Sequence, residues 1–440
     1  MKKLTFLLRS LKLSIIELLL NKGEYNMATT KLYQQDVNIK EWDATITKIT
    51  ENGIYLDRTA FFPEGGGQSC DLGTIAFAGA LIDVTDVQED GDDVVHSLSS
   101  TQGLTEGASV HCSLDWDRRF DNMQRHCGEH ILSGIFYQEC GGVNRGFHMG
   151  EDYMTIDISL EDEPTNPEMS RPTQIDHALA ARCELLANRV IWENTPVTVM
   201  RFETREEVAD MPLRKALAFD EDISIVCVGS PENPADCVAC CGTHPKTAGQ
   251  VGLIKILKVE NYKGMFRIFF EAGQRALADY HMKHDMLQEM SNDRSCSLED
   301  LPEKIKGIEA KLADAKGSLA AIKKVLLSAE QQKLDAAIDA SETTVVVHPL
   351  ENLTMDDAFN MSKEYMGKPA CKGRLIMLYC PEEKSYVLVS QGTPDCGTLV
   401  KEYAGFYGGK GGGRNLSARA IFTTEEDAAL FAELLRKHLQ

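Results

Sequence analysis

Positive charge is what this chain has least of. Its 440 residues carry 46 Lys and Arg against 67 Asp and Glu, a formal net charge of −21. A protein that holds nucleic acid by electrostatics alone is basic, so any RNA partner must be held by local patches or by shape. The other reading of the acidity is plain solubility. Long apolar runs are missing too. The strongest, residues 13–20, is interrupted by Glu17 and leads to no small-residue cleavage site. It is a poor export signal and too short to span a bilayer, which argues against a membrane partner and for the cytoplasm. With no export signal and irregular spacing, the thirteen cysteines read as thiols of a reducing compartment, and adjacent Cys240 and Cys241 as metal-site residues.

The composition that remains, 43% hydrophobic and 26% charged, is that of a globular protein, and the length suits about three domains. The pattern predicts an α+β multidomain fold. Residues 1–26 read as a non-native or disordered extension, since Lys22-Gly23-Glu24 can be encoded by a ribosome-binding sequence just before Met27. Residues 27–112 show short alternating apolar runs broken by Gly, Asn and Asp, the signature of a small β-barrel. Residues 113–272 form an α+β core. It has a helix over 116–137 capped by Asp115 or Asp117 and a mostly helical stretch over 167–188. Strands are expected near 153–158, 196–202, 224–228, 251–259 and 265–270. Residues 273–342 are helical. Leu301, Ile305, Ile308, Leu312, Ala315, Leu319, Ile322 and Leu326 make a heptad seam that packs within the chain or pairs two chains into a homodimer. Residues 343–440 read as a separate α/β domain.

Two histidines four apart on a helix share one face, so His126 and His130 can grip one ion. Cys240 and His244 repeat that spacing with a thiolate and an imidazole. Together they are a zinc inventory, with Cys237 and Cys241 as competitors for the cysteine role. Four protein ligands suit a structural ion, whereas a catalytic one keeps a position open. Glu129 completes an HxxEH pattern, that of inverted-zincin metalloproteases, where the glutamate activates water. Such a protease would need a later carboxylate ligand. The alternative for Glu129 is a carboxylate that orients a histidine. Gly65, Gly66 and Gly67 with Gln68 permit a positive-φ turn and close backbone approach to a ligand, or are an ordinary glycine turn. The glycine-rich stretch 408–414 is not a phosphate-binding P-loop. With Lys410 and Arg414 it reads as an exposed loop suited to RNA backbone, or as a flexible surface loop.

Several ordered motifs carry a family resemblance: Thr59-Ala-Phe-Phe-Pro-Glu-Gly-Gly-Gly-Gln68, Arg125-His-Cys-Gly-Glu-His-Ile-Leu and Cys240-Cys-Gly-Thr-His-Pro. Gly249-Gln-Val-Gly-Leu-Ile-Lys255, Gly264-Met-Phe-Arg-Ile-Phe-Phe and the Gly408 stretch add to them. Over residues 31–440 the chain resembles the freestanding AlaX editing proteins, relatives of the editing half of alanyl-tRNA synthetase. The resemblance implies zinc-dependent hydrolysis of tRNA(Ala) mischarged with serine or glycine. It places the ligands on His126, His130, Cys240 and His244 and the barrel loop on Gly65 to Gln68, with His148 beside the substrate. It implies a DHH-associated C-terminal domain that touches tRNA or dimerises. Glu129 is, by its own chemistry, a candidate catalytic group that orients water, or a carboxylate that orients a histidine. The aminoacylation domain of the synthetase is not expected. The chain departs from the synthetase at Glu129, where that enzyme has threonine, at Cys241 for a glycine and at Pro245 for a valine. Asn144 and Arg145 stand near where a core glutamine is expected.

Overall fold

The computed structural model describes residues 28–51, 53–160, 172–218 and 220–440. The expected extension over residues 1–26 lies outside them. At the N-terminal end, alternation of apolar and polar residues closes six strands on themselves. These are β1 (Glu41–Ile49), β2 (Gly53–Leu56), β3 (Gly73–Phe77), β4 (Ala80–Asp90), β5 (Asp93–Leu98) and β6 (Ser109–Leu114), in the barrel order β1-β2-β5-β4-β3-β6. In β1, Trp42, Ala44 and Ile46 point inward while Glu41 and Asp43 face water. Ile46, Ile54, Ile75, Val87 and Val94 fill the interior.

Helix α1 (Trp116–Cys140) leaves the barrel. It starts where the Asp115 side chain accepts the Arg118 N–H at 3.1 Å, and ends where Gly141 takes a left-handed φ of 66°. Its first turns seal the barrel. The Arg119 side chain has no exposed surface and is ion-paired with Asp71; its Nη1 donates to the Val37 carbonyl at 2.9 Å. Nearly every residue from Asn122 to Phe136 is buried, so the helix runs through the core that follows.

That core holds β7 (Val143–Met149), β8 (Met154–Ser159), α2 (His177–Trp192), β9 (Val197–Thr204), β10 (Glu221–Ser230), β11 (Asn233–Ala239), β12 (Ile254–Tyr262) and β13 (Met265–Ala272). One antiparallel sheet runs β12-β13-β8-β7 and another β9-β10-β11. Helix α1 packs on β7, β8, β11 and β13. Two expectations need correction. The helix expected over 167–188 begins at His177, because Asp176 caps it by accepting the Leu179 N–H at 2.9 Å; residues 161–171 lie outside the described part. The cysteines are not all free: Cys227 and Cys237 face each other across β10 and β11 and are joined as a disulfide.

The chain forms two compact units, divided between Leu287 and Gln288 along α3 (Gly273–Asp293). In the second, α4 (Leu301–Ala340) leads to a five-stranded sheet. Its strands are β14 (Val345–Pro349), β15 (Leu375–Cys380), β16 (Ser385–Val389), β17 (Lys410–Gly413) and β18 (Ser417–Ile421), in the order β14-β15-β16-β18-β17. Alternate residues face opposite layers. Leu375 and Met377 pack with Phe431 and Leu435, while Ile376 and Leu378 pack with Leu334 and Ile338 of α4. The heptad seam is covered only at its ends: Leu301 and the turns from Leu326 onward are at least partly buried, but Ile308, Leu312, Leu319 and Ile322 are exposed. No chain segment folds back over its middle, so the seam is not an internal coiled coil among the described residues.

Arg119→Met removes the cation and leaves Asp71 buried without its counter-charge. A loss of roughly 3–5 kcal/mol in urea unfolding is expected; an unchanged midpoint would contradict the sealing role.

Candidate metal centre

Helix α1 turns His126 and His130 to one side, a turn apart. The segment after β11 brings Cys240 and His244 back against them. The four ligand atoms lie within 4.8 Å of one another. Cys240 Sγ is 3.5 Å from His126 Nε2 and 3.4 Å from His244 Nε2. A tetrahedral zinc, with bonds of about 2.3 Å to sulfur and about 2.0 Å to nitrogen, separates its sulfur and nitrogen donors by about 3.5 Å. The donor set and its spacing therefore fit one four-coordinate ion. Burial opposes charge on Cys240, yet the three imidazoles outweigh it and draw the thiol well below its ordinary range. Burial pushes His244 down to about 4, which leaves it a lone-pair donor. Gly242 keeps the site open: a Cβ there would lie 2.3 Å from His126 Cε1. Its N–H donates to Cys240 Sγ at 3.4 Å.

The outer nitrogens decide how each ring is held. Gln68 Oε1, a pure acceptor, lies 3.0 Å from His126 Nδ1, so the hydrogen sits on Nδ1 and Nε2 keeps its lone pair. The same oxygen accepts the Thr243 N–H at 3.0 Å, and Gln68 Nε2 donates to Thr243 Oγ1 at 2.8 Å. Asp236 Oδ2 is 3.0 Å from His130 Nδ1. His244 Nδ1 is buried with no hydrogen-bond partner among the described residues.

The glycine tract explains how Gln68 gets there. Gly65 and Gln68 exchange backbone hydrogen bonds of 3.1 and 3.0 Å around Gly66 and Gly67, whose φ values are 62° and 83°. This is a tight turn of the kind that needs positive φ at both central residues. A Cβ on Gly67 would lie 2.8 Å from Phe147 Cδ1, and Phe147 stacks on His126 with ring centroids 5.7 Å apart. A Cβ on Gly66 would meet Cys241 Sγ at 3.1 Å, and one on Gly65 would lie 3.9 Å from it. The tract thus delivers Gln68 and presses the barrel onto the cluster.

Glu129 is 5% exposed. Its Oε1 accepts from Ser133 Oγ at 2.6 Å and Asn144 Nδ2 at 2.8 Å, while Oε2 is 3.9 Å from His130 Nε2. His148 is exposed beside Phe147 on β7, where alternation turns it away from the cluster. Lys410 and Arg414 belong to the second unit and are exposed. The expected loop is in fact half strand: residues 410–413 are the edge strand β17, paired with β18. Asp236, Asn144, Ser133, Thr243 and Phe147 also belong to the site and are not evident from the sequence. None forms a recognisable spacing with a ligand, and Asn233-Pro234 reads as a turn that hides β11.

Comparison with known proteins agrees with this layout. The family profile described as tRNA synthetases class II (A) matches residues 19–118, and that of the threonyl and alanyl tRNA synthetase second additional domain matches residues 223–269. The alanyl-tRNA editing protein AlaX-L of Pyrococcus horikoshii is 29% identical over 435 residues, covering 93% of this chain and 99% of that protein. The alanine–tRNA ligases of Pyrococcus abyssi and Pyrococcus furiosus are 29% and 28% identical. The chain covers 41% and 42% of their respective lengths.

Gly242→Ala places a methyl group against the His126 ring. Metal affinity, read by competition with a chromophoric chelator, is expected to fall on the order of tenfold or more; wild-type affinity would show that His126 is not a ligand.

Proposed function

Since the chain is similar over nearly its whole length to an AlaX-type alanyl-tRNA editing protein, we propose that it belongs with these proteins and hydrolyses the ester joining serine or glycine to mischarged tRNA(Ala). The observation that carries the reading is the cluster of His126, His130, Cys240 and His244 with a buried carboxylate beside it. His126, His130, Cys240 and His244 would hold zinc with all four of its positions filled, so the ion would supply positive charge beside the ester rather than a site for its carbonyl.

The chain's own groups do the remaining work. Ser133 and Asn144 fix one oxygen of Glu129 and leave Oε2 facing the metal-side nitrogen of His130. From there Glu129 takes a proton from the attacking water as the new C–O bond forms. It returns that proton to the ribose oxygen as the ester C–O bond breaks, so one water enters and a free amino acid and an intact tRNA end leave. A positioned base of this kind contributes about 10²- to 10⁴-fold. An aminoacyl ester is labile, so this and orientation suffice. The cognate alanyl ester lacks only the hydroxyl of the seryl one, and sparing it requires a contact specific to that hydroxyl. In the second unit, Lys410 and Arg414 offer cations to the tRNA backbone. The exposed seam of Ile308, Leu312, Leu319 and Ile322 offers a homodimer contact. We place it in the cytoplasm on the strength of the sequence reading; separately, no helix among the described residues is long and apolar enough to cross a membrane.

Deacylation of Ser-tRNA(Ala) tests this. Glu129→Gln is expected to lose about 10²-fold or more in rate while still binding zinc, and Cys240→Ala to lose both activity and metal at low free zinc. Full activity of Cys240→Ala under those conditions would refute the metal role.

A further inference from the structure

We infer that Asp236, backed by Arg214, is the positioning group that fixes His130 as a metal ligand. The inference rests on the metal reading above and goes beyond its four ligands. Three observations carry it.

The first is the hydrogen-bond chain. Asp236 is 3% exposed. Its Oδ2 accepts from His130 Nδ1 at 3.0 Å. Arg214 grips the same carboxylate from behind, Nε to Oδ1 at 2.6 Å and Nη2 to Oδ2 at 3.2 Å. A carboxylate can only accept, so the imidazole hydrogen is pinned on Nδ1 and the lone pair of Nε2 faces the cluster.

The second is the architecture that delivers it. The Arg214 N–H donates to the Cys237 carbonyl at 2.8 Å, which docks its segment on β11. Gly134, one turn beyond His130 on α1, lets that strand come close: a Cβ there would sit 2.1 Å from the Ala235 carbonyl oxygen. A helix glycine, a strand aspartate and a connecting-segment arginine thus converge on one ring nitrogen.

The third is charge. A thiolate, three neutral imidazoles and a dication sum to one positive charge. Glu129 and Asp236 are the buried carboxylates beside it, and Asp236 is the one at hydrogen-bond distance from a ring nitrogen; a lone carboxylate is costly to bury. Arg214 makes that burial tolerable. The other two rings differ: His126 meets the neutral amide of Gln68, and His244 Nδ1 meets nothing. Among the described residues, Asp236 is the one charged group within hydrogen-bond distance of an outer nitrogen of the three rings.

The test measures zinc affinity by chelator competition and the visible spectrum of the cobalt-substituted protein, for Asp236→Asn, Arg214→Gln and the double variant. Asp236→Asn is expected to bind zinc about 10- to 100-fold more weakly and to shift the cobalt bands. Because Arg214 acts through Asp236, Arg214→Gln is expected to weaken binding in the wild-type background but to add less than about twofold in the Asp236→Asn background. Additive losses would mark Arg214 as merely structural. Asp236→Asn within about threefold of wild type would overturn the inference. Should Asp236→Asn not fold, Arg214→Lys, which keeps the charge but loses the two-pronged contact, gives the same readout. Wild-type protein that binds zinc tightly yet deacylates nothing would remove the proposed reaction and leave this inference standing. Normal deacylation with unchanged zinc affinity in Asp236→Asn would do the reverse.

Discussion

A thiolate and three imidazoles crowded into one buried space are the constraint around which the first unit is built. Four such groups within 4.8 Å compete for lone-pair room unless a cation sits among them. The helix that supplies two of them must run through the core, and residues 122–136 are almost wholly buried as a result. The segment that supplies the other two must approach that helix closely. Glycines at 128, 134 and 242 stand where any side chain would strike a neighbouring strand or ring. Packing density and metal geometry are here one requirement.

The barrel is tied into the same centre. Its two-glycine turn carries Gln68, whose amide bridges His126 on the helix and Thr243 on the Cys/His segment. One side chain from the barrel therefore links the two halves of the ligand set. The opposite face is closed by β11 through Asp236. The rings are steered from two directions, by a neutral amide and by a charged carboxylate, and Glu129 is held apart from both by Ser133 and Asn144.

The four clustered side chains are legible because each pair is local: HxxxH on a helix and CxxxH on one short segment stand out by spacing. The barrel and the long helix followed from period-two and period-3.6 patterns and from the Asp115 cap. Residues that act from a distance in sequence were not legible. Asp236 is 106 positions from His130 and sits in a strand masked by Asn233-Pro234. Asn144 was visible only as the occupant of a position where another residue was expected. The stretch 408–414 looked like a loop because glycine weakens strand propensity, yet three glycines fit an edge strand whose neighbour β18 supplies the hydrogen bonds. The heptad seam is visible as a pattern, but its period does not say whether a partner covers it.

The central claim is that His126, His130, Cys240 and His244 close around one zinc ion. X-ray absorption at the zinc edge of the purified, metal-loaded chain tests it most directly. One sulfur at about 2.3 Å and three nitrogens at about 2.0 Å are expected. A shell of oxygen and nitrogen without sulfur, or no bound zinc at all, would contradict it.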